Sequence, residues 1–211
     1  YDNKDLDLNF LKKYEKILNL KRGGWYWIWK FNIILKRLNE INENDFLIYL
    51  DSGCSVNKYG EKKFKEYLKI LNDSELGIIS FQTAYPERIF TIKEIFEYFK
   101  LDINGKISNS GQYIATILII KKNNHSKKIF KEGLDILNFN PNLITDLYNS
   151  KQNKFFIDNR HDQSILSVIR KIHDSIIIKD ESWDKNFKSI KMKNIPFWAT
   201  RHNSLRHLVN F

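Results

Sequence analysis

Three stretches of this chain gather side chains that can do chemistry. Residues 160–164 read Arg-His-Asp-Gln-Ser. An acid beside an imidazole and a guanidinium can take up a proton, orient the proton acceptor and hold an anion. Asp162 is the candidate base. His161 would orient it or contact a phosphate, Arg160 would hold an anion, and Gln163 and Ser164 could bind substrate hydroxyls. The alternative is plain helix capping, since Asp162 or Ser164 could cap a helix whose apolar stripe is Ile165, Val168, Ile169 and Ile172. The second stretch, residues 22–30, reads Arg-Gly-Gly-Trp-Tyr-Trp-Ile-Trp-Lys. A Gly-Gly turn at a helix start, with Lys30 nearby, makes a place for a phosphate, and the rings offer stacking faces. Core packing of a large first turn would explain the same tryptophans. The third is Asp51, one acid followed by Ser52-Gly53 at the end of an apolar run.

The elements that must carry these groups follow from periodicity. Residues 46–50 are an unbroken apolar or aromatic run of strand length, expected to be a strand buried on both faces. A carboxylate at the C-terminal end of such a strand sits where open α/β sheets bind ligands. Spacings of three and four predict helices over about 7–20, 26–42 and 61–72. A short strand at 77–81 leads into a loop through Pro86 and Glu87. Thr91 and Glu94 have the spacing of a capping box. Residues 113–120 read as one long buried strand, 126–138 as a helix, 155–157 as a strand-like approach to the polar cluster, and 176–178 as an edge strand. This alternation predicts an α/β fold with a mixed, mostly parallel sheet flanked by helices.

Composition narrows the function classes. At 211 residues with 42% hydrophobic content, the chain can bury one sizeable core and is read as a single domain, residues 1–211. Only 3 Pro and 8 Gly argue against disorder. Apolar runs are far too short to span a membrane. A single cysteine, Cys54, cannot form an internal disulfide, so a cytoplasmic, reducing location is expected. The net charge of +10 favours an anionic partner, although scattered Lys is also what a solvated surface carries. The basic tail holds Lys185, Lys188, Lys191, Lys193, Arg201, His202, Arg206 and His207, and allows peripheral contact with a cytoplasmic membrane face. No Walker or Rossmann glycine loop, zinc spacing or nucleophile elbow is present. Nucleic acid is a weaker partner, because the tryptophans cluster at a helix start instead of alternating along a sheet face.

The three blocks in this order, Arg22-Gly23-Gly24-x-Tyr26-Trp27-x-Trp29-Lys30, Tyr49 to Cys54 and Arg160 to Ser164, resemble a group of bacterial and large-DNA-virus sugar transferases similar to GT-A glycosyltransferases. The resemblance covers roughly residues 5–172 and extends to Glu87, Thr91-x-Lys93 and Gln112-Tyr113. It implies a GT-A-like fold and transfer of a sugar from a nucleoside diphosphate sugar, UDP- or GDP-linked, to a glycan or lipid-linked acceptor in surface polysaccharide or glycoprotein synthesis. It implies donor or phosphate contacts at Arg22, Gly24, Trp27, Lys30, Asp51, Ser52, Gly53, Lys93 and Arg160. Glu87, Gln112, Gln163 and Ser164 would contact acceptor or sugar. Asp51 would hold Mn²⁺ or Mg²⁺.

Two departures from the pattern matter. GT-A enzymes usually carry Asp-x-Asp here, and this chain has Asp51-Ser52-Gly53. The first, base-binding strand of that fold has no counterpart before the first predicted helix, so it is missing or replaced. The competing expectations are a non-catalytic scaffold of the same fold and a basic nucleic-acid-binding module.

Overall fold

The computed structural model of the chain describes residues 5–20 and 22–200. In order, its elements are helices α1 (Leu8–Lys13), α2 (Glu15–Leu18), α3 (Gly23–Tyr26) and α4 (Trp29–Glu40), then strands β1 (Phe46–Leu50) and β2 (Ser55–Val56). Helix α5 (Glu61–Asn72), strand β3 (Ile78–Pro86) and three short helices follow: α6 (Glu87–Phe90), α7 (Lys93–Tyr98) and α8 (Lys106–Asn109). Then come β4 (Gly111–Tyr113), β5 (Ile117–Lys121), α9 (Asn124–Phe139), α10 (Asp162–Ile172), β6 (Ile176–Lys179) and β7 (Phe197–Trp198).

Alternation along the strands builds three layers. Successive strand residues point to opposite faces. Ile78, Leu118 and Ile120 join one buried cluster with Phe31, Ile34 and Leu38 of α4, Ile129, Phe130, Ile136 and Leu137 of α9, and Ile165, Leu166 and Ile169 of α10. Ile79, Phe81, Ile117 and Ile119 face the other way, against Tyr67 and Leu71 of α5 and Phe197 of β7. Helices therefore flank the sheet on both faces. A separate ribbon pairs β2 with β7, Ser55 opposite Trp198.

The sheet is mixed, as expected, but it is not mostly parallel. Its order is β1-β5-β3-β4, with β6 also paired to β3. Among the described residues only β3–β6 is parallel; β1–β5, β3–β5 and β3–β4 are antiparallel. An apolar run with a helix on either side looks the same in both directions, so periodicity cannot set strand direction. Here β5 runs between β1 and β3 and opposite to both.

Other local expectations change for physical reasons. Strand β1 contacts both clusters, but each of its residues is only half-buried, because it has one neighbour. Tyr14 leaves helical geometry at φ −106° and splits the first helix in two. The helix after Thr91 has no side-chain cap, because the Thr91 hydroxyl donates instead to Glu87 Oε1 at 2.7 Å. A capping box does form elsewhere, between Asn123 and Ser126 at the start of α9. Residues 155–157 are not a strand; Ile157 and Arg160 donate their amides irregularly to the carbonyls of Ile89 and Phe90. In the tail, Lys185, Lys188, Lys191 and Lys193 are exposed, while Arg201, His202, Arg206 and His207 lie outside the described residues. Among the described residues no helix is long and apolar enough to cross a membrane.

Candidate active site

The strand expected at 113–120 is two strands, and the gap between them builds a cleft. Between β4 and β5, residues 114–116 leave the ladder. Buried backbone groups without a ladder need other partners. Arg170, wholly buried on α10, donates to the carbonyls of Tyr113 at 3.3 Å and Ile114 at 2.8 Å. Lys30 Nζ donates to the Ala115 carbonyl at 3.1 Å, and the Ala115 amide donates to Gln163 Oε1 at 3.2 Å. Thr116 O accepts from the Asp51 amide at 2.9 Å. The gap thus ties the start of α4, the end of β1 and the start of α10 to one point. A cleft of about 680 Å³ opens there.

At its floor lies a lysine between two aspartates. Lys30, at 2% exposure, places Nζ 3.2 Å from Asp51 Oδ1 and 2.5 Å from Asp162 Oδ2. The Asp162 contact is an ion pair whose attraction is mainly coulombic. Tyr49 donates its hydroxyl to Asp51 Oδ1 at 2.7 Å, and its ring lies 4.7 Å from the ammonium. Burial pushes the Asp162 carboxyl up to about 6, against the pull of Lys30. Burial alone would lower Lys30, but Asp162 and Asp51 outweigh it and hold the ammonium above its ordinary value. Asp162 is therefore a carboxylate with a proton affinity near neutrality, the property that a general base needs.

One wall is a left-handed turn. Gly23, Gly24, Trp25, Tyr26 and Trp27 all have φ between 55° and 69°. Left-handed helical geometry costs about 1–2 kcal/mol per L-residue. Gly23 is required, since a Cβ there would lie 2.2 Å from the Trp27 ring. The turn is held by its surroundings, as strained backbone must be. Tyr26 donates its hydroxyl to Asp146 at 2.9 Å, Trp29 Nε1 donates to Gly24 O at 2.9 Å, and Trp27 stacks on His161 with centroids 5.8 Å apart. Arg22, half-exposed at the rim, pairs with Asp146 at 2.7 Å and lies 3.9 Å from Asp158.

His161 sits at φ 55° just before α10. Its Nδ1 lies 2.9 Å from the Ile144 carbonyl. A carbonyl only accepts, so Nδ1 carries the proton and Nε2, 3.9 Å from Asp146 Oδ1, can accept. Burial lowers its proton affinity, which keeps the ring neutral at pH 7. Its partners are thus Ile144, Tyr26 and Trp27, with Asp146 nearby.

Of the residues singled out from sequence, Arg22, Trp27, Lys30, Asp51, Ser52, Gly53, Arg160, His161, Asp162 and Gln163 all line the cleft. The others are placed elsewhere. Glu87 is fully buried and accepts from Thr91, Gln112 and Ser167, with Lys171 Nζ at 2.7 Å. Gln112 stands one step behind the cleft and accepts from Gln163 Nε2 at 2.7 Å. Lys93 pairs with Glu97 at 3.9 Å and is not among the cleft's lining residues. Ser164 donates to Phe90 O at 2.5 Å and accepts from the Arg160 amide. Gly24 contributes its carbonyl to Trp29.

The cleft adds Tyr49, Trp29, Thr116, Asp158 and Asn159 to that set. Trp29 belongs to the tryptophan-rich block 22–30, and two of the others also had a sequence signal. Tyr49 is two residues before Asp51, on the same strand face. Thr116 is the one polar residue inside an apolar run.

Among the described residues no group of three His, Cys, Asp or Glu could hold a metal ion. The two nearest carboxylates already share the Lys30 ammonium.

No family model matches the sequence, and no curated protein matches it. Among solved structures, the chain is similar to mouse xyloside xylosyltransferase 1 in its apo form. The identity is 10% and the TM-score 0.45, over 93% of this chain and 73% of that one. A likeness at that level assigns no activity to this chain.

Proposed function

We propose that this chain is a GT-A-like glycosyltransferase that moves a sugar from a nucleoside diphosphate sugar to an acceptor hydroxyl. The observation that carries the reading is convergence: the blocks 22–30, 49–53 and 158–163, far apart in sequence, line one cleft. The cleft supplies what such a reaction needs. Arg22 and Arg160 are guanidinium groups that suit a diphosphate, whose leaving charge must be stabilised. Trp27 and Trp29 offer ring faces to a base or sugar. Asp162, ionised above about pH 6, accepts the proton of the attacking hydroxyl. His161 holds the Trp27 wall in place by stacking on its ring. The acceptor is a glycan or a lipid-linked sugar, the classes that the resemblance implies.

Release of nucleoside diphosphate, followed with a panel of UDP- and GDP-sugars, tests the proposal. Turnover with one donor, lost in Asp162→Asn, is expected. No turnover with any donor, or full activity in Asp162→Asn, overturns it.

A further inference from the structure

The floor of the cleft carries more than a base. An ammonium has three donors and no acceptor. Three oxygens surround Lys30 Nζ: Asp51 Oδ1 at 3.2 Å, Ala115 O at 3.1 Å and Asp162 Oδ2 at 2.5 Å. The side chain is almost wholly buried, so its charge has no water to turn to. Hard divalent cations want six or more oxygen ligands, and Mg²⁺ wants them at about 2.0–2.1 Å in near-octahedral array. Seating such an ion between Asp51 and Asp162 would force out an ammonium held by three oxygens. Both positive centres could not share the same carboxylates without strong repulsion.

We infer that Lys30 stands in for the divalent cation of this site: it is the positive centre that Asp51 and Asp162 share, and the cleft takes a nucleoside diphosphate without Mn²⁺ or Mg²⁺. The nucleotide half of this inference rests on the glycosyltransferase reading. The lysine-for-metal half does not, because it concerns two carboxylates and one ammonium whatever the substrate. The same geometry explains how Gly53 can stand where a second acid would be expected. Asp162, brought in from α10, faces Asp51 across the lysine, which offsets one of their two negative charges. The diphosphate would then meet Arg22 and Arg160 on the walls, while Lys30 offsets part of the negative charge of the two aspartates beside it.

Two measurements on the purified chain test this. The first is titration with Mn²⁺ alone, followed by the loss of the free-ion electron paramagnetic resonance signal. Wild type should bind no Mn²⁺ in the cleft. Lys30→Ala, which leaves Asp51 and Asp162 facing an emptied space, should gain one Mn²⁺ site, with circular dichroism melting confirming that it folds. If Lys30→Ala does not fold, Lys30→Met keeps the packing, and the wild-type titration decides alone. Stoichiometric Mn²⁺ binding by wild type that Asp51→Asn abolishes overturns the inference. The second is calorimetric binding of UDP and GDP, with EDTA or with added Mn²⁺. An unchanged Kd supports the inference. Tightening by Mn²⁺ of tenfold or more, about 1.4 kcal/mol, overturns it and leaves the glycosyltransferase reading standing. Failure of both nucleotides to bind under either condition overturns the nucleotide half together with that reading, while the Mn²⁺ titration still decides the other half.

Discussion

Two buried lysine–carboxylate clusters lie behind and beneath the same cleft, and they behave in opposite ways. Lys30 meets two aspartates; Lys171 meets Glu87 at 2.7 Å. Burial lowers the proton affinity of Lys171, and one carboxylate does not restore it. Burial acts on Lys30 too, but two carboxylates reverse the sign. The aspartate end of the first cluster opens to the cleft, with Asp51 at 28% side-chain exposure. The second is sealed, with Glu87 at 0%. Residue types are nearly the same in both. What separates a candidate reaction centre from a structural pair is the number of carboxylates and the access of a ligand to them. Gln112 joins the two, since it donates to Glu87 Oε1 at 2.9 Å and accepts from Gln163, which lines the cleft.

The contrast can be broken from either side. Asp162→Asn should cost about 10²–10⁴-fold in turnover, the range for loss of a general base, in a nucleoside diphosphate release assay. Glu87→Ala should do the reverse, with damage to the fold before the chemistry. It strands Lys171, Gln112 and Ser167 without their buried partner, and denaturant unfolding should show a loss of about 3–5 kcal/mol.

Titration separates the clusters further. The Asp162 carboxyl is raised from 3.8 to about 6 in the folded chain, so folding favours its protonated form. Its contribution to stability is full below 3.8 and is lost as pH rises through about 6. The stability of wild type minus that of Asp162→Asn should therefore fall across that window by on the order of 3 kcal/mol. Activity should move the other way and decline as pH drops through about 6, because a base must be ionised.

Gln112→Ala cuts the link between the clusters. Unpaired buried groups on Glu87 and Gln163 should cost about 1–3 kcal/mol by denaturant unfolding, with KM for the donor rising as Gln163 loses its anchor. Arg22→Ala is the smallest perturbation. Its pairs with Asp146 and Asp158 are half-exposed, so stability should change by about 0–1 kcal/mol, and a rise in donor KM should be the main effect.

Much of the frame was legible in the chain. The apolar run 46–50 is strand β1 and ends at Asp51; the stripe predicted at 61–72 is helix α5 to the residue. The polar cluster at 160–164 stands where its density suggested, at the start of a helix that lines the cleft. These features are local. Periodicity of 2 or 3.6 and the punctuation of Gly, Pro and Asn act over a few residues and are written in neighbouring side chains.

Strand direction, the left-handed turn at 23–27 and the assignment of polar residues to cleft or core were not legible. Glu87 and Gln112 carry the same chemistry as Asp162 and Gln163, yet they serve a sealed network, because β3 and β4 pair and bring α6 against α10. Lys30 was legible as a cation near a helix start, and only folding decided that it would be buried between two aspartates, one from β1's end and one from α10. Local pattern tells a side chain which face of its element it will occupy. The charges, access and proton affinity that it will meet there come from elements distant in sequence, and those are set only when the layers close.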